Sequence, residues 1–222
     1  MRLPLLGGKS HSLPNSNPHH IAEVVETATS GFLAQCLDPE TLEFAVMPPF
    51  GSWVWAEDPE SQVRIYAVVY EVSTRPIDSV HRTRALGLSL EELQTEQPQI
   101  FAMLKTEFQA AIVGFQAPGS GSSGAERVMR QYLPPRPPPV HQAVHRCHPE
   151  EIIAFSDRLD FLPTLLRLSA APVDDLIAAI LREGYQLRKA DRQWLVAAGR
   201  ALAVFLREDY DRLRLILNQV HI

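Results

Sequence analysis

Val63-Arg64-Ile65-Tyr66-Ala67-Val68-Val69-Tyr70-Glu71-Val72 is the stretch on which the fold turns. β-branched and aromatic residues dominate it, and neither Gly nor Pro interrupts it, which marks a strand. Its side chains fall into two alternating sets: Arg64, Tyr66, Val68, Tyr70 and Val72 against Val63, Ile65, Ala67, Val69 and Glu71. A strand this long predicts a bend across two halves of a closed sheet, the habit of a small barrel. Upstream lie four shorter runs of the same character, Ile21–Thr27, Phe32–Cys36, Leu42–Val46 and Trp53–Trp55. Ser30-Gly31, Asp38-Pro39, Pro48-Pro49, Gly51 and Asp58-Pro59 punctuate them. Five closely spaced strands with turns between them predict a sandwich or small barrel.

Downstream, Ser89-Leu90-Glu91-Glu92 has the form of a capping box and starts a helix. Pro98 then divides the stretch into two short helices, the second taking its apolar face from Ile100–Leu104. Phe108–Phe115 reads as a strand returning to the sheet. The stretch Gly119-Ser120-Gly121-Ser122-Ser123-Gly124 reads as flexible, and Pro134-Pro135-Arg136-Pro137-Pro138-Pro139 as extended polyproline II. From Pro149 the period becomes helical, with helices expected over Glu150–Phe155, Pro163–Leu168, Val173–Leu187 and Asp191 to about Val220. In the last of these Leu195, Leu202, Phe205, Leu206, Leu213, Ile216 and Leu217 line one side as a core stripe. Asp174 and Asp175 fall in a first helical turn, where negative charge is favoured, and read as capping residues.

The expected class is therefore α+β and multidomain. Residues 1–20 are a flexible tail, 21–116 a small closed β-barrel with an inserted helical segment, 117–148 a linker, and 149–222 an all-α domain. Charge separates these regions: 21–116 carries 5 basic against 14 acidic residues, while 149–222 carries 10 against 11. Nucleic-acid binding, which needs clustered Lys and Arg, is thus not expected of the barrel. The helical half, with Arg182, Arg188, Lys189, Arg192, Arg200, Arg207, Arg212 and Arg214, is where such contact would fall. The apolar stretches are too short or too interrupted to cross a bilayer, so no transmembrane segment is expected. Two cysteines, Cys36 and Cys147, are too few for a disulfide framework, and a reducing cytoplasm fits them as buried small hydrophobes.

Motifs for catalysis are sparse. Gly7-Gly8-Lys9-Ser10 ends like a phosphate-binding loop, but Leu3 stands where the first glycine is needed. No nucleophile elbow, zinc-protease helix or dinucleotide fingerprint occurs. His141, His145, Cys147 and His148 are the one cluster with metal-ligand chemistry, with His19 and His20 as a further pair, yet their spacing matches no established site. No cofactor, metal or catalytic residue is assigned. The most distinctive run is Pro49-Phe50-Gly51-Ser52-Trp53-Val54-Trp55. Alternation puts Trp53 and Trp55 on one side, either in the core or on an aromatic patch that binds a partner. The polyproline tract around Arg136 is either a spacer or a docking peptide. Phe50, Trp53, Trp55 and Arg136 are accordingly the partner-binding candidates.

Taken in order, Ile21–Glu26, the strand ending at Cys36-Leu37-Asp38, Pro49–Val54 and Ile65–Tyr70 resemble the HAS barrel. That barrel stands at the N-terminus of HerA-type hexameric ATPases and of ATP synthase catalytic-head subunits. The likeness covers about residues 20 to 116. It implies a docking module that forms rings or seats partner proteins. The chain departs from the ATPases after the barrel, where a Gly/Ser/Pro stretch and helices replace Walker motifs, so no ATPase activity carries over. The stand-alone arrangement is similar to HAS-barrel proteins of oxygenic phototrophs. The expected function is a non-enzymatic protein-binding adaptor or assembly factor, its partner an ATPase or another large assembly. The alternative is an accessory subunit of a nucleic-acid-processing ATPase or nuclease complex. The sequence leaves the oligomeric state open.

Overall fold

The computed structural model describes residues 19–38, 47–77, 86–97, 99–118 and 127–220. The expected strand Leu42–Val46, the Gly/Ser tract and nearly all of the N-terminal tail lie outside the described residues. Strands β1 (His20–Ala28), β2 (Gly31–Cys36), β3 (Trp53–Asp58), β4 (Val63–Pro76), β5 (Leu104–Pro118), β6 (Arg127–Arg130) and β7 (Ala143–Arg146) form one antiparallel sheet. Its order is β2-β1-β7-β3-β4-β5-β6, and an added β2–β5 pairing closes six of the strands into a barrel, with β6 appended to β5. The long strands β4 and β5 make this closure. β4 pairs with β3 through Val63–Val68 and with β5 along its whole length. Register shifts at Tyr66/Ala67 and Val69/Glu71 supply the bend that a small ring demands. The second shift also turns Val72 inward, against strict alternation.

Two cores share the barrel wall. Inside lie Ala22, Val24, Ala34, Val54, Ala56, Ile65, Ala67, Val69, Phe108, Ala110, Ile112 and Val144. Outside, Trp53, Tyr66, Val68, Ala111 and Val113 are covered by helices α3 (Pro149–Ser156), α4 (Leu162–Leu166), α5 (Val173–Leu187), α6 (Arg192–Phe205) and α7 (Tyr210–Asn218). To number in chain order, the insertion helices Leu90–Glu96 and Gln99–Ala102 are α1 and α2. Ser89 and Glu92 form the expected capping box on α1. Gly51 has φ +83°, and a Cβ there would stand 2.7 Å from the Ala179 Cβ, so its bare backbone lets α5 approach the barrel.

Two expectations need correction. The stretch 117–148 is not a spacer throughout: β6 and β7 lie within it, and β7 sits between β1 and β3 as a member of the ring. The polyproline tract between them lies against the barrel, with Pro134 and Pro138 buried. Four strand residues behind a Pro-rich run are too short a stretch for periodicity to register. The long terminal helix is also two helices. α6 ends at Phe205, and Asp209 caps α7 by accepting from the Arg212 amide. Phe205, the last residue of α6, is exposed, while Leu202, Leu206, Leu213 and Ile216 are buried.

Candidate functional site

Trp53 and Trp55 do share the outer side of β3, as alternation requires, but they meet different neighbours. Trp53 is 1% exposed and lies against Phe155 and Phe161, at ring distances of 5.3 and 5.6 Å. Helices α3 and α4 seal it, so it has no surface to offer a partner and leaves the candidate set. Trp55 stays half-buried because the side chains over it are polar. His145 stacks on its ring at 4.2 Å, and the Arg64 guanidinium lies 3.9 Å from the ring centre.

This stack extends into a ladder across four neighbouring strands. His20 of β1 is registered opposite His145 of β7, which is opposite Trp55 of β3, beside which stands Arg64 of β4. The His20 and His145 rings are 5.3 Å apart, and His19 lies 4.0 Å from His148 at the start of α3. Arg64 donates to Glu151 at 2.7 Å. Sequence reading grouped His141, His145, Cys147 and His148; the structure instead gathers His19, His20, His145 and His148, with His141 in the turn before β7. Nothing in the local spacing foretells that set, because only the β1–β7 register joins its halves. Among the described residues no three His, Cys, Asp or Glu side chains are placed to hold a metal ion.

The acid–base chemistry of the region is muted. Burial pushes the Cys36 thiol up to about 11. Burial, then the Glu151 charge, raises Cys147 well above the usual thiol value. Neither is a thiolate at neutral pH, so neither is an activated nucleophile. Burial and Glu151 likewise push the Tyr66 phenol up to about 12, against the pull of Arg64. Burial raises Glu183 to about 6, opposed by Arg146.

Arg136 is held rather than free. Its Nη2 donates to Asp58 Oδ2 at 3.0 Å and its Nη1 to Glu60, while half of the side chain stays exposed. Burial works to raise the Asp58 carboxyl, but hydrogen bonds from Ser61 and the Glu60 amide, with the Arg136 charge, together hold it below the ordinary value. Arg136 therefore fastens the polyproline tract to the β3–β4 turn. A cleft of about 820 Å³ opens elsewhere, between the β1–β2 turn and the α4–α5 connection, lined by Glu26, Tyr70, Gln109, Tyr132, Arg167 and Leu168 among others.

A further surface is apolar. The end of β2, the end of β4 and the start of β5 meet at one end of the barrel. Leu37, Met47, Ile77 and Met103 stand exposed at this end, Ile77 at 60% and Met47 at 55%, while Phe50, exposed as well, sits beside Gly51, whose amide donates to the Val69 carbonyl well back along β4. The Ile77 amide donates to the Met103 carbonyl at 2.8 Å, and Met47 lies against Thr74, which ties these residues to the rim. Sequence reading named none of these four as partner-binding, because isolated apolar residues in connections carry no periodic signal.

The chain is thus a closed six-stranded barrel with one wall sealed under helices. Residues 21–116 match the family model of the HAS barrel domain, and this chain carries a HAS barrel domain. The matched span ends before β7, the strand that completes the ring. No curated protein matches the chain.

Proposed function

We propose that the chain is a protein-binding adaptor or assembly factor whose barrel rim seats a protein partner. The observation that carries this reading is the set of exposed large apolar side chains at one barrel end, Leu37, Met47, Ile77 and Met103. Scattered apolar residues are normal on a surface, whereas a gathered set marks an interaction site, and methionine adapts well to such a role. The buried, protonated thiols fit a non-enzymatic part.

The test is Ile77→Asp/Met103→Asp in the full chain. Purification from native cells after cross-linking is expected to recover a defined partner with the wild type and to lose it with the variant, at an unchanged melting temperature. Equal recovery by both proteins, or no partner with either, rejects the rim. The alternative role, in a nucleic-acid-processing ATPase complex, has less to draw on. Arg182 donates to the Gln219 carbonyl, Arg188 to Asp157 and Ile153, and Arg212 to Asp174, which commits these three guanidinium groups internally. Arg192, Arg200, Arg207 and Arg214 remain exposed, and a salt-dependent gel shift would speak for them.

A further inference from the structure

β7 is the shortest seam of the ring. It has four residues, joined to β1 by His20↔His145, Ala22↔Val144 and Glu23↔Ala143, and to β3 by three further pairs. β4 and β5, by contrast, are paired from Arg64 to Pro76. β7 also leads directly into α3, so the strand that closes the barrel is the one that tethers the helices. Four imidazoles stand along this seam, His19 and His20 on the β1 side, His145 on β7 and His148 at the cap of α3. Buried Nε2 of His20, Nδ1 of His145 and Nε of Arg64 have no hydrogen-bond partner among the described residues.

We propose that the packing around His145 makes the β1–β7 seam acid-labile, so that a proton taken up by His145 loosens the strand that holds barrel and helices together. Arg64 and His145 lie 3.9 and 4.2 Å from the same Trp55 ring, so a proton on His145 puts positive charge within reach of the guanidinium, the screening length at physiological salt being about 8 Å. The charged groups facing His145 are His19 and His20 from the β1 side, Arg64 from β4 and Glu151 from α3; β3 presents the uncharged Trp55. Burial, followed by His20, Arg64 and His19, holds His145 below the usual imidazole value, and Glu151 alone opposes them. A histidine depressed in the folded state takes its proton more readily in the unfolded chain. Stability is therefore greatest above the ordinary value of about 6.5 and falls as pH drops through it. Glu183 on α5, raised to about 6, has the opposite sign, favouring the folded state in acid. A variant compared with the wild type at each pH cancels that contribution.

Hydrogen exchange on the full-length wild type at pH 7.5 and 5.5, corrected for intrinsic rates, reads the seam directly. Protection of the Val144 and Arg146 amides is expected to fall several-fold in acid relative to β4–β5 amides. A constant ratio overturns the proposal. Melting temperatures across the same range provide the second measurement. The wild type is expected to lose several degrees, and His20→Gln/His145→Gln to lose much less. If that pair does not fold, His145→Gln alone takes its place. A slope equal to that of the wild type in the variant that folds is equally fatal.

Discussion

The inner and outer faces of β4 belong to cores built on different rules. Inward, Val63, Ile65, Ala67 and Val69 meet mostly small and β-branched side chains, Ala22, Ala34, Ala56 and Ala110 among them, with Phe32, Phe108 and Phe115 as the larger members. Outward, Tyr66 and Val68 meet Trp53, Phe155, Phe161 and the leucines of the helices. Strand number and stagger set the inner volume, so the side chains must fit a space that hydrogen bonds have already fixed. The outer gap between a curved wall and straight helices has no such constraint and is filled by whatever rings reach across it. The inner core is thus most sensitive to added volume, and the outer core to lost volume.

Trp53→Ala should break the outer core and have the largest effect. The indole touches Phe155 and Phe161, and both also contact each other at 5.7 Å. Removing it opens a cavity in a place that rigid strands cannot collapse to fill. The expected loss is about 3–5 kcal/mol by denaturant titration. A change under about 1 kcal/mol, within the range of ordinary surface substitutions, would show that the helices do not depend on this contact.

The same contrast explains what was legible in the sequence. The barrel was readable from the alternation in Val63–Val72, and α1 from Ser89 and Glu92, because those signals are local. β7 was not, since its four residues owe their strand conformation to β1 and β3 on either side. Periodicity placed Trp53 and Trp55 on one side correctly, but it had no means of telling that Phe155 and Phe161 cover one while Arg64 and His145 cover the other. The histidine ladder was hidden for the same reason, its halves lying at residues 19–20 and 145–148. Arg136 looked like a free docking residue because its partners, Asp58 and Glu60, are remote in sequence.

Ala110→Leu sharpens the comparison from inside. Ala110 is fully buried, opposite Phe32 of β2 and Val69 of β4, on the strand where the ring closes. Added methylenes there have no gap to enter, and the β4 and β2 walls cannot both move without breaking register. A loss of about 1–3 kcal/mol is expected. Ala111, the next residue, faces the helices, so Ala111→Leu tests whether the outer core yields more easily to the same added volume. Equal losses at the two sites would mean that the cores do not differ in the way argued.

Asp191→Ala has the smallest expected effect and probes how the two cores are coupled. Asp191 accepts from the Gln193 and Trp194 amides at the start of α6, away from the barrel interior. Losing that cap is expected to cost about 1 kcal/mol. α6 carries Trp194, whose indole N–H donates to the Ser156 carbonyl of α3, and Arg188 stacks on the Trp194 ring, so the cap stands at the edge of one connected outer layer. If the barrel wall, through its shared residues, makes both cores one cooperative unit, helical and strand signals will shift together in Asp191→Ala. If the ring stands independently, the helical signal alone will move to lower denaturant, and β4–β5 amides will keep wild-type protection against exchange. The first outcome is expected, because Trp53, Tyr66 and Val68 are at once barrel residues and members of the helical core.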